Sequence, residues 1–138
     1  MLKHHFYLPA TPASLSKLRA FPRDTLGRLE LQLVTDEPVG PVCDTLCQLQ
    51  LQPTTVVVLH LADPRHVEAA LVIATVFARV SLAITLAGEA APSVRLVGLV
   101  PNLEHVWLRV PPATDLAPLG ASSRHTAGLW PLASVRRV

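Results

Sequence analysis

Three carboxylates in this 138-residue chain, Asp36, Asp63 and Glu89, each fall just after a strand-like run of residues. Carboxylates gathered at the carboxyl ends of parallel strands are a place where Mg²⁺ can be held. Helix capping already accounts for Asp63, and the helix dipole favours acidic residues at the other two positions, so a metal is not expected. His60 and His66 are the candidate bases. A general base needs a nucleophile or an orienting acid beside it, and the chain has no Gly-x-Ser-x-Gly, Cys-His or His-Glu-x-x-His arrangement. Both therefore read as surface histidines. His4 and His5 add no zinc-type spacing. Cys43 and Cys47, the two cysteines, stand i, i+4 on one helix face, which suits a reducing compartment better than a structural disulfide. The loops "TDEPVGP" and "EAAP" that follow two of the strands lack the glycines of a phosphate cradle. No catalytic, cofactor-binding or metal residue is expected, and the chain reads as a non-enzyme, with an enzyme built on the acidic strand-end site as an alternative.

Composition narrows the partners. A net charge of +2, with twelve Lys and Arg scattered along the chain, gives no stripe for nucleic acid. Half of the residues are apolar and 16% are charged, a surface thin enough in charge to accept a protein partner. Lys3, His4 and His5 precede a Pro-broken segment rather than the apolar core of a secretory signal, so a cytoplasmic protein is expected. "AALVIATVFARVSLAITLAG", Ala69 to Gly88, approaches the length of a bilayer span, but Arg79 near its middle and the change of period at Ser81 argue for a buried helix followed by a buried strand.

Stepping along the chain, four segments have strand character: Arg28 to Val34, Thr54 to Ala62, Ser81 to Gly88 and His105 to Val110. Helices are expected between them. "GPVCDTLCQLQ" carries Val42, Leu46 and Leu49 at helical spacing, and Asp63 with Pro64 opens a helix that runs toward Arg79 and is apolar nearly all round. A shorter helix is expected in "EAAPSVRLVGLVP", with Val94, Val97 and Val100 inward. Strand and helix in alternation make the strands parallel. Residues 1 to 25 read as an N-terminal cap or irregular segment, 26 to 110 as the repeat domain and 111 to 138 as a Pro-rich, flexible tail.

The strand residues carry a resemblance. Leu26, Leu29 and Leu31, then Val56, Leu59 and Leu61, then Leu103, Val106 and Leu108 fit the L-x-x-L-x-L signature of leucine-rich repeats, and "PNLEHVWLRV" looks like a rung of an F-box-type repeat protein, here without an F-box. The resemblance implies an α/β fold, a short β-α repeat array or solenoid of about four parallel rungs. The Asn or Cys that such repeats place after the strand has no match; Thr35, Asp63, Gly88 and Pro111 or Pro112 stand there. A weaker resemblance, in order and spacing, is to the STAS or anti-sigma-factor antagonist domain, a small α/β sheet, whose phosphorylatable Ser is missing from "ADPRHVEAAL". On a repeat strand the residues between the core positions face outward. Glu30, His60, Thr85 and Trp107 then form a row suited to a protein partner, with Trp107 as anchor.

Overall fold

The computed structural model describes residues 3–86, 91–100, 102–109 and 135–137. Its strands are β1 (His4–Pro9), β2 (Leu26–Gln32), β3 (Val56–Leu61), β4 (Val80–Thr85), β5 (Leu103–Arg109) and β6 (Val135–Arg137); its helices are α1 (Pro12–Ser16), α2 (Val39–Leu49), α3 (His66–Ala74) and α4 (Ala91–Val97). All strand pairs are parallel, and the sheet order is β1-β2-β3-β4-β5-β6, the order of the sequence. The helices touch in the same order, α1 against α2, α2 against α3 and α3 against α4. The result is one sheet with one row of helices along it. None of these helices is long and apolar enough to cross a membrane.

Alternation along each strand builds the core. Leu29 and Leu31, Val57 and Leu59, Leu82 and Ile84, and Val106 and Leu108 lie in register from strand to strand and are all buried, with Leu46, Val67, Ile73 and Val94 closing over them from the helices. The helices begin and end for local reasons. Thr11 caps α1 through a 3.2 Å bond from the Ser14 amide, with Pro12 in the first turn. Gln50, in the left-handed region at φ 50°, ends α2.

Four features differ from the expectation. The sheet gains β1 and β6 at its edges, from segments read as an irregular cap and a flexible tail; the chain between β5 and β6 lies outside the described residues. β4 ends at Thr85 and not at Gly88. The third helix is short. It starts only at His66, with Arg65 in the N-cap position and no side-chain cap: Asp63, expected to cap the helix, instead accepts the Arg65 amide at 2.9 Å in the turn before it; the helix stops at Ala74, where the Thr75 hydroxyl donates to the Val72 carbonyl. Its outer side is open, with Leu71 only half-buried and Val72 exposed, so it is not apolar-covered all round. Finally, Val57 and Val58 are both buried although they point to opposite faces, so the centre of β3 is covered on both sides.

Side chains also tie neighbouring elements together where β3 and β5 begin. The Asn102 amide donates at 2.7 Å to both the Ala74 and Phe77 carbonyls, and the buried Thr55 hydroxyl donates at 2.7 Å to the Leu26 carbonyl. Asn102 gives the Ala74 carbonyl a second donor beside the Phe77 amide, which lies 3.2 Å from it, and supplies a donor to the Phe77 carbonyl in the turn after α3.

Candidate functional site

The four outward residues expected from the repeat spacing all lie on the sheet face away from the helices, and the structure divides them. Glu30 and His60 are brought together: His60 Nε2 lies 2.7 Å from Glu30 Oε1. Trp107 is two strands from His60 in one register row, with Ala83 between them, a separation of about 10 Å. Thr85 is exposed at the carboxyl end of β4 and pairs in register with Arg109, outside the cluster.

The cluster has members that the strand signature did not supply. His5 Nε2 bonds the second oxygen of Glu30, and Arg28 Nε lies 3.3 Å from that same oxygen. Tyr7, 57% exposed, leans on the His60 ring at 5.2 Å between centroids. His5 and Tyr7 come from β1, in a segment read as irregular because of its prolines. The available signal was the alternation in "HHFYLP", which sends His5 and Tyr7 outward and half-buries Phe6 and Leu8.

Burial pushes the Glu30 carboxyl up, but the bonds from His60 and His5 and the charge of Arg28 outweigh it and hold the group below its ordinary range. Glu30 is thus an anion with each oxygen engaged. Its two imidazoles sit on opposite oxygens, an arrangement of hydrogen bonds rather than of donors converging on a cation. Among the described residues, no group of three His, Cys, Asp or Glu side chains is placed to hold a metal.

Across the face, His105 and Trp107 form a second aromatic pair, 5.9 Å between centroids, with Glu104 bridging to Arg79 at 3.1 Å. Val58, Ser81 and Ala83 lie between the two pairs. Val58 and Ser81 are buried and Ala83 is half-buried, so the middle of the face is made of small, dry residues flanked by rings.

The other chemistry-bearing residues stand apart. Asp36 and Asp63 do come together at one edge, each paired to Arg65, at 3.5 and 3.1 Å; Glu89 lies outside the described residues. His66 is not a surface residue. It is 6% exposed, because its ring fills the gap between two loops, with Nδ1 3.2 Å from the Ala62 amide and Nε2 3.1 Å from the Thr35 hydroxyl. Cys43 is half-buried against the core and Cys47 is exposed, both free. A cleft of about 390 Å³ opens on the other side of the molecule, floored by Leu46 and Val57 and walled by Leu51, Val76 and Phe77. Of its polar lining, Thr55 donates to the Leu26 carbonyl, Gln50 accepts from Arg23 and Arg79 pairs with Glu104.

Compared with protein-family models, with curated proteins and with solved structures, the chain matches none.

Proposed function

We propose that the chain is a non-enzymatic protein-binding module, a leucine-rich-repeat-like array that takes its partner on the sheet face away from the helices. The observation that carries this reading is the outward cluster itself: an exposed tyrosine packed on a histidine that is fixed by a half-buried glutamate, facing a tryptophan across a floor of buried and half-buried side chains. Rigid aromatic groups whose polar atoms are already oriented lose little entropy on binding and are favoured as interface anchors. The sequential strand order supports a repeat array over an out-of-order sheet of the STAS type. Of the expected contact residues, Glu30 orients, His60 and Trp107 touch the partner, and Thr85 marks the carboxyl-end border; Tyr7 joins them.

The free cysteines fit a reducing compartment, in keeping with a cytoplasmic site of action. No cofactor, nucleic acid or metal enters the reading. The test is capture from cell lysate with the wild-type chain and with a folded His60→Ala, Trp107→Ala double variant. Partners recovered by the wild type and lost by the variant support the face; equal recovery by both removes it.

A further inference from the structure

We propose that His66 is a proton-sensitive clip, which ties the loop after β2 to the loop after β3 near neutral pH and lets both go on acidification. The geometry fixes the tautomer. The Ala62 amide can only donate, so Nδ1, 3.2 Å away, must be the bare nitrogen; Nε2 then carries the proton and donates to the Thr35 hydroxyl at 3.1 Å. One neutral ring satisfies a backbone donor of its own loop and a side chain of the neighbouring rung.

A second proton has one place to go, Nδ1, and there it would face the Ala62 N–H at hydrogen-bond distance. Two donors cannot share that contact, so the charged ring must leave its position or expel the amide. The ring is 6% exposed, so the charge would also be placed out of water.

The charged groups facing it are few. Asp63 and Arg65 stand on its own loop, Asp36 and Glu37 on the loop after β2, and Glu68 in the first turn of α3. Arg65 is shared between Asp63 at 3.1 Å and Asp36 at 3.5 Å, and its charge opposes the pull that Asp63 exerts on an imidazolium. Burial pushes the His66 ring down from its ordinary value near 6.5; Asp63 pulls it up and Arg65 pushes it down again. The native ring therefore refuses a proton that the unfolded chain accepts. The clip has its full strength above about pH 6.5, weakens as pH falls below that value and is lost as pH falls through the lower native one.

Amide hydrogen exchange on the whole chain tests this, read at Ala62 with Leu86, which bonds the Arg109 carbonyl, as the reference. After correction for the intrinsic rate, protection at Ala62 should fall by roughly tenfold or more between about pH 7.5 and about pH 5 while Leu86 keeps its protection. Nitrogen NMR of the ring should show a bare Nδ1 at the higher pH. His66→Gln, whose amide can accept from Ala62 and donate to Thr35 without titrating, should flatten the pH response. Unchanged Ala62 protection in the wild type, an equal loss in His66→Gln, or a proton on Nδ1 at neutral pH would each overturn the proposal; the two wild-type measurements decide it even if the variant does not fold.

Discussion

With its side chain 14% exposed, Glu30 remains an anion because three donors on two neighbouring strands and its own strand reach its two oxygens. The sign of its effect on stability follows. A carboxyl held below its ordinary value near 4.5 contributes stability that is present above that value and is lost as pH falls through the lower native one. Glu30→Gln should cost roughly 1 to 2 kcal/mol near neutral pH, mostly through His60, since His5 and Arg28 are too exposed to count for much. Thermal unfolding of both proteins across the acid range checks it: the gap should narrow below about pH 4.5. Asn102 is a second residue whose loss is specific. Asn102→Ala removes the donor to the Ala74 and Phe77 carbonyls, the first of which keeps the Phe77 amide, and should cost about 1 to 2 kcal/mol in urea unfolding, whereas Asn102→Asp, which cannot donate, should do no better.

The inner strands were legible because hydrophobic alternation is strong in their second halves: Leu29 and Leu31 in β2, Val57, Leu59 and Leu61 in β3, and Val106 and Leu108 in β5 are all buried, although Val56, which the L-x-x-L-x-L spacing puts inward, is 44% exposed. β1 was not, because its alternation uses two histidines, a tyrosine and a half-buried Phe6, and becomes a pattern only once β2 lies beside it. The pairing depends on Gly27. A Cβ there would meet the Lys3 Cβ at 2.8 Å, beside the register shift between His4 and His5. Gly27→Val should therefore displace β1 and cost about 1 to 3 kcal/mol, with exchange protection lost in β1 before β3. α3 is shorter than its apolar spacing implies: Thr75 reads as one more helical residue, yet the chain turns at Ala74, with the Thr75 hydroxyl donating to the Val72 carbonyl. With that correction, Ile73→Asp should unfold the chain, since Ile73 is 2% exposed, while Val72→Asp on the open side should change stability by less than about 0.5 kcal/mol.

At the scale of the molecule, the order of strands and the single row of helices make a layered array whose two sheet faces have different tasks. The helix side holds the core, and the other side holds the aromatic pairs. Of that second face, Glu30, His60 and Trp107 were legible from spacing alone, because residues between core positions must point outward; Tyr7 and His5 were not, because they belong to the strand that was missed. The outward direction of a side chain also did not reveal that Val58 and Ser81 would be buried there, which confines the accessible surface to the two flanks and to Ala83. Ala83 is the position that reports most directly on the claim that this face binds. A photo-crosslinking amino acid placed at residue 83, between His60 and Trp107, and in a separate protein at residue 72 on the open side of α3, leaves the core residues of both untouched. Irradiation in lysate should give a discrete adduct from position 83 that Tyr7→Ala, Trp107→Ala abolishes, and none of that mass from position 72. An adduct from position 72 with none from position 83 would contradict the account and move the binding surface to the helices.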